Sequence, residues 1–526
     1  MVSALNDAFQ QTYRKRFWLL LAIVTLFRMI FANSVGLGVD ESHYYLYSRH
    51  LAWGYFDHPP MVAWLAKLTT LFSNDIFFIR LGPVLCSTGS IVLLRYLALA
   101  LYRDERVSFY ALAMLLVMPY QHLLMVGLLP DAPLNLFWCG TLLAAWHALR
   151  KDSWMGWILA GVSFGGALLS KYHAVLLPFC LFLYLIISPR RRFCLVKIQP
   201  YVAVIIGLLI FLPNLLWNAR HDWISYAYQL GHGTGKGFSP GNLLEFVGGQ
   251  LGVWSPLIFV FLIIVYLSIL RDREVGESDR FALWTSLPVF VFFGAMSSLG
   301  KTLPHWPSVG WWTGSLAVAA VTLRRVSQKH RHAVRWRRWW MAAAGVGLLM
   351  TAIIHVGMLY PIVGPFYSAA RNASLKIHQH LPMIQPLKPF RIKYDITNEL
   401  YGWNEIAIEV EKLQAQMPRP DRTFIFTHKF YTASQLGVYL KTHTIATTLS
   451  RRFDQYRLWF SAENHRDWDA LFIDEDRFEK GPQRYRALFK RVDPEPIQIK
   501  AYRDDRNLAR EVKVYRFYGF KGSYIN

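Results

Sequence analysis

The chain has 526 residues, 54% of them hydrophobic, 16% aromatic and only 17% charged, a balance that excludes an ordinary soluble enzyme. Its formal net charge of +23 does not indicate nucleic-acid binding, because the basic residues stand in short clusters between apolar runs and not as a stripe on one folded module. Cys86, Cys139, Cys180 and Cys194 lie in or beside apolar runs without metal-ligand spacing, so they read as small hydrophobes.

The apolar runs are long enough to predict membrane-spanning helices. Arg14-Lys15-Arg16 precedes the first, near 17–36. No small-residue cleavage site follows it, so it reads as a retained helix and not a signal peptide. With that cluster in the cytoplasm, Asp40 and Glu41 emerge on the outer face. Segments 41–50 and 61–72 are too short to span; with Trp53, Trp64 and Lys67 among apolar residues, they suit helices lying in the interface. The span near 78–101 returns to Arg103/Arg106, 107–129 exits to Pro130-Asp131, and 132–149 re-enters at Arg150-Lys151. Residues 154–187 exceed one helix and divide into two short spans, with Ser170-Lys171-Tyr172-His173 outside between them. Spans 199–217, 242–269, 280–299, 305–323 and 339–360 complete a set of about eleven, with the large cationic clusters all on one side.

The character changes from about Pro361. Strand-like pieces (423–426, 470–473, 496–501, 512–518) alternate with helical ones (406–416, 431–440, 483–490), as in a small α/β domain outside the membrane. The expected fold is therefore a polytopic α-helical membrane protein, with a membrane domain over 1–360 and a soluble α/β domain over 361–526.

The residues that carry chemistry fall in the outer loops. Charge beside hydrocarbon is costly unless it is paired, solvated or used, and the first loop holds Asp40, Glu41 and Asp57 with His43 and His58. Asp40-Glu41 suits a general base taking a proton from an acceptor, or a solvated interfacial pair. Asp57-His58-Pro59-Pro60 is a rigid turn that suits an anionic headgroup at His58, a divalent cation at Asp57 and His58, or the start of an interfacial helix. Lys171 with His173, and Lys301 with His305, suit a lipid phosphate or interfacial anchoring. Asp131, between Pro130 and Pro133, reads as a helix N-cap.

These motifs, Asp40-Glu41-x-x-Tyr44-Tyr45 followed by Trp53-Gly54-Tyr55-Phe56-Asp57-His58-Pro59-Pro60-Met61-Val62-Ala63-Trp64-Leu65, resemble the first outer loop of bacterial GT-C glycosyltransferases. The resemblance is to the branch related to protein mannosyltransferases and to the lipid A aminoarabinose and galacturonic acid transferases. Leu168-Leu169-Ser170-Lys171-Tyr172 resembles the Ser-Lys motif that follows in that branch. The similarity covers roughly 15–325 and is strongest at 40–65. The branch more often has Glu-Lys where this chain has Asp57-His58. The resemblance implies a sugar donor on a polyprenyl phosphate, and a lipid, glycan or protein acceptor on the outer face of the bacterial inner membrane. It also implies a cytoplasmic N-terminus and a periplasmic C-terminal domain. Asp40 would match the catalytic acid, with Glu41 beside it and Asp57 as the second carboxylate. Tyr55, His58, Lys171, His173, Lys301 and His305 would bind substrate, and a divalent metal at Asp57 and His58 is the one cofactor considered. The rival readings are a lipid-linked sugar transporter or flippase, a periplasmic glycan polymerase or ligase, and a scaffold whose outer domain binds a partner.

Overall fold

The computed structural model describes residues 2–234, 237–272, 274–327, 331–381, 385–441 and 444–525. Arg273 and residues 328–330, within two of the basic clusters, lie outside them. The chain divides into two compact units, Met1–Ala32 with Leu51–Ile353, and Asn33–His50 with Ile354–Asn526.

Helix α1 (Val2–Ala32) opens the first unit, whereas α2 (Val39–Arg49) belongs to the second. The first unit resumes with α3 (Met61–Thr69), α4 (Ile76–Tyr102), α5 (Glu105–Leu116), α6 (Pro119–Val126), α7 (Asp131–Lys151) and α8 (Trp154–Ser170). It continues through α9 (Leu176–Ile187), α10 (Gln199–Ala219), α11 (Ile224–Thr234), α12 (Pro240–Trp254) and α13 (Pro256–Arg271). Helices α14 (Glu277–Trp284), α15 (Leu287–Leu299), α16 (Gly310–Ser327) and most of α17 (Arg331–Leu359) complete it.

Among the described residues, four helices are long and apolar enough to cross a membrane, or six if each of two bent pairs is one span. The expected straight span over 107–129 is one such pair, with α5 and α6 meeting at 89°. Pro119 heads α6, where its missing N–H costs nothing, but inside a continuous helix it would remove a backbone bond. The expected span over 242–269 likewise bends by 108° where Pro256 begins α13. The division of 154–187 falls at Lys171, as expected.

Helices α7, α8 and α10 pack side by side. The approach of α8 to α10 depends on small residues: a Cβ on Gly161 would lie 2.6 Å from the Ala203 carbonyl oxygen, and one on Gly207 would lie 2.3 Å from the Phe164 ring. Close backbone approach of this kind is how helices associate where lipid removes the hydrophobic drive.

The second unit is built on a six-stranded sheet of β1 (Thr423–Thr427), β2 (Ala446–Thr448), β3 (Asp469–Glu475), β4 (Phe489–Val492), β5 (Ile497–Tyr502) and β6 (Leu508–Phe520). The strand order is β2-β1-β3-β6-β4, with β5 also pairing β6. The β1 pairings are parallel and the β6 pairings antiparallel. Alternation along β1 and β3 sends Ile425, Leu471 and Ile473 to one face, and Phe424, Phe426 and Phe472 to an aromatic core on the other. The aliphatic face is covered by α19 (Trp403–Ala415), which follows α18 (Val363–His380), and by α20 (Phe430–Tyr439). The helix expected over 483–490 is instead a 3₁₀ segment, Pro482–Leu488, running into β4. The gain of pairing Phe489, Arg491 and Val492 with β6 outweighs local helix preference there.

The expected interfacial helix over 41–50 is α2, and it packs on α20 with Leu46 against Ala433 and Gly437. Ser42 donates to Gln435 at 3.0 Å, and Gln435 donates to the Leu37 carbonyl at 2.9 Å. His43 is buried, with its Nε2 2.8 Å from the Tyr47 hydroxyl.

Candidate functional site

In the first unit the 53–60 loop is pinned by its carbonyls. Asn214 donates to Trp53 O at 2.8 Å, Ser225 to Tyr55 O at 2.6 Å, and Gln229 to Asp57 O at 2.7 Å. Gly54 lets the loop approach α10, because a Cβ there would lie 2.5 Å from the Trp217 ring. Tyr55 is fully buried and its hydroxyl accepts the Ala52 N–H at 3.2 Å, so this ring shapes the loop from inside. The side chains of Asp57 and His58 are half-buried.

Lys171 ends α8 and reaches back to the first residue of α7. Its Nζ donates to both carboxylate oxygens of Asp131, at 3.0 and 2.8 Å, and Ser308 donates to the same carboxylate at 3.3 Å. The two charged groups are 5% and 3% exposed. Asp131 thus forms a buried ion pair and not the expected N-cap; Pro130 holds the cap position, with no side-chain hydrogen bond there. His173 lies within electrostatic reach of Lys171, Asp131, His58 and His305. Its ring packs between Phe293 and Trp306. His305 stacks on Tyr120 with ring centroids 5.0 Å apart, and Gln250 fixes the preceding turn through the Pro304 carbonyl at 2.6 Å. His58, Lys171, Asp131 and His305 therefore all lie within electrostatic reach of His173. Lys301, by contrast, is exposed and pairs with Glu245 at 3.6 Å.

In the second unit the two neighbouring acids divide. Glu41 is 7% exposed, and its Oε2 accepts the Gly38 N–H at 2.8 Å, which caps the start of α2. Asp40 is exposed and lies in the first helical turn, where the helix dipole favours a carboxylate. The Val39 N–H is taken by Glu399 at 2.8 Å.

Among the described residues, no group of three or more His, Cys, Asp or Glu is placed to hold a metal ion.

Reading the residues alone missed the anchors Asn214, Ser225 and Gln229. Asn214 carried a signal, as a polar side chain inside the apolar run of α10. The pairing of Asp131 with Lys171 carried none, because forty residues of chain separate the partners.

A family model for dolichyl-phosphate-mannose-protein mannosyltransferases matches residues 57–217. Lipid A galacturonosyltransferase RgtD of Rhizobium johnstonii is 27% identical over 300 residues, which are 56% of this chain and 62% of that protein. An undecaprenyl phosphate-alpha-4-amino-4-deoxy-L-arabinose arabinosyl transferase of Pseudomonas aeruginosa is 30% identical over 223 residues, 38% of this chain and 40% of the relative. The chain thus spans less than two thirds of the length of either. The crystal structure of ArnT from Cupriavidus metallidurans in the apo state superposes with a TM-score of 0.59 at 18% identity, covering 95% of this chain and 98% of that one. The same enzyme has also been solved with undecaprenyl phosphate bound, with a TM-score of 0.58 at 17% identity over 94% and 97% of the two chains. At that identity the likeness establishes the fold. Over these stretches the chain is similar to the protein mannosyltransferase family and to transferases named for lipid A galacturonic acid and for aminoarabinose, and over nearly its whole length it shares the fold of ArnT.

Proposed function

We propose that the protein is an integral membrane glycosyltransferase of the bacterial inner membrane. It moves a sugar from a polyprenyl-phosphate donor to a lipid, glycan or protein acceptor on the outer face. The topology that goes with this reading has about eleven spans, a cytoplasmic N-terminus and a periplasmic C-terminal domain. The observation that carries the reading is the split of the first-loop acids: Glu41 caps its helix and Asp40 stands exposed. The relatives add the donor class, since the solved ArnT holds undecaprenyl phosphate and RgtD is named for lipid A.

The reaction is a single inverting displacement. The acceptor oxygen attacks the anomeric carbon, Asp40 takes its proton, and the bond to the phosphate oxygen breaks as polyprenyl phosphate leaves. His58, His173 and His305 supply donors to the leaving phosphate. Lys171 shares its charge with Asp131, so its part is to fix the phosphate end of the site more than to neutralise it alone. Lys301, on the surface, is a contact for lipid headgroups. Asp57, held through its carbonyl, orients the loop that carries His58. Asp57 and His58 would be the residues to meet a divalent cation there.

Purified protein supplied with a polyprenyl-phosphate sugar and a panel of acceptors tests the reading. Transfer by the wild type, with loss of at least a thousandfold in Asp40→Asn, is expected from removal of a general base aided by its placement. No transfer from any donor would favour the transport or scaffold reading, and full transfer by Asp40→Asn would remove the base.

A further inference from the structure

At a cationic end of the first unit, α5, α16 and α17 part around a cavity of about 430 Å³ whose residues the sugar chemistry does not use. Small-molecule sites occupy about 300–1,000 Å³, so the space is large enough to take a ligand. Ala319, Leu323 and Val326 of α16 and Met341 of α17 make much of the lining apolar. Tyr110 and Trp340 also line it, meeting edge to face with ring centroids 5.9 Å apart. Arg337, three residues before Trp340 and four before Met341, brings a guanidinium to the same face of α17. Arg337 and Met341 are both exposed, so the cavity is open along α17. Of the most apolar stretch of that helix 22% is buried, which leaves lipid along the remainder. The hydroxyl of Thr322, in the same lining, is buried with no hydrogen-bond partner among the described residues.

Charge selects the occupant. Cations nearby that have acidic neighbours are already neutralised: Arg324 pairs with Asp279 at 2.7 Å, and Arg106 with Asp104 at 2.6 Å. Among the described residues no carboxylate pairs with Arg325 at the end of α16, or with Arg335, Arg337 and Arg338 near the start of α17. Four guanidinium groups so placed attract an anion and repel the ammonium of a zwitterionic headgroup. The apolar lining, open to the bilayer, requires that the anion carry hydrocarbon, because a free phosphate would leave that surface uncovered. Basic pockets between membrane helices hold anionic headgroups for these two reasons together. We infer that the cavity binds an anionic glycerophospholipid of the cytoplasmic leaflet, with its phosphate on Arg337 and the upper part of its chains against Ala319, Leu323 and Met341. The lipid bridges three helices of the membrane domain and holds them together, whatever sugar the enzyme moves.

Full-length protein in an uncharged detergent, freed of native lipid, is titrated with phosphatidylglycerol, phosphatidylcholine or glycerol 3-phosphate. Bound ligand is read by native mass spectrometry, beside the melting temperature. Phosphatidylglycerol is expected to bind saturably and to raise the melting temperature, while the other two do neither at the same concentration. Arg337→Gln is expected to weaken phosphatidylglycerol binding about fivefold, the worth of one guanidinium near an anionic lipid surface. Its melting without lipid should match the wild type, because the side chain is exposed. Arg190→Gln, an exposed arginine in a different basic cluster, is expected to leave the affinity unchanged. Wild-type affinity in Arg337→Gln would overturn the site. Equal losses in Arg337→Gln and Arg190→Gln would overturn it too, by showing only the general attraction of a basic surface. Phosphatidylcholine binding as tightly as phosphatidylglycerol would remove the charge selection, and glycerol 3-phosphate binding as tightly would remove the lipid.

Discussion

Removing one partner of the Lys171–Asp131 pair should cost more than removing both. The two groups meet at 2.8 and 3.0 Å with 5% and 3% exposure. At an effective dielectric constant of about 20, their gross attraction is about 6 kcal/mol, most of it offset by loss of hydration. Lys171→Met leaves an uncompensated buried carboxylate whose remaining donor is Ser308 at 3.3 Å, and should cost about 3–5 kcal/mol. Asp131→Asn leaves a buried ammonium and should cost as much. The double variant strands no charge and is expected to lose only about 1–2 kcal/mol, a coupling of several kcal/mol. Unfolding in mixed micelles, followed for the four proteins, gives the cycle directly. Additive losses would refute the reasoning. Transfer measured on the same set separates architecture from chemistry: the double variant should fold nearly as the wild type yet transfer poorly, since the proposed phosphate end of the site lacks both charges.

Glu41→Ala should destabilise the second unit by about 1 kcal/mol through loss of the α2 cap, with transfer reduced only in proportion to folded protein; a loss as deep as that of Asp40→Asn would make Glu41 part of the chemistry. Gly54→Ala should displace the 53–60 loop from Trp217 and impair transfer more than global stability, read as a fall in kcat on a protein with normal melting. Burial holds the His43 imidazole down at about 3 from 6.5, so the folded form resists protonation. Its contribution is complete above about pH 6.5 and falls as the pH drops toward 3. At pH 5 the loss is about 2 kcal/mol relative to pH 7, and His43→Gln should flatten the stability–pH curve over that range. An unaltered curve would show that other groups set it.

Much of this architecture was written in local patterns. The break at Lys171 was legible because 154–187 exceeds one membrane crossing, and β1, β3, β5 and β6 were legible from short apolar runs between turns. The bends before Pro119 and Pro256 were signalled by proline, yet the apolar character ran through them and read as straight spans. What composition could not carry was pairing at a distance. Asp131 looked like a cap because nothing near it in sequence offers a charge. Helix α2 looked like a membrane-surface helix because its partner, α20, lies near residue 435. The 483–490 segment read as helix to its end because the entry of its last two residues into β4 depends on β6, formed later in the chain.

The assignment of residues 33–50 to the same compact unit as 354–526 has a consequence in time. A ribosome finishes the Asp40 segment early, but its packing partners on α20 are made some four hundred residues later, so α2 must wait for most of translation before it can settle. Eleven residues with this little helical drive of their own do not hold a helix in water. Asp40, the base we propose, therefore becomes ordered only once α20 has been made, and a chain interrupted before that helix would leave α2 without the partner that holds it.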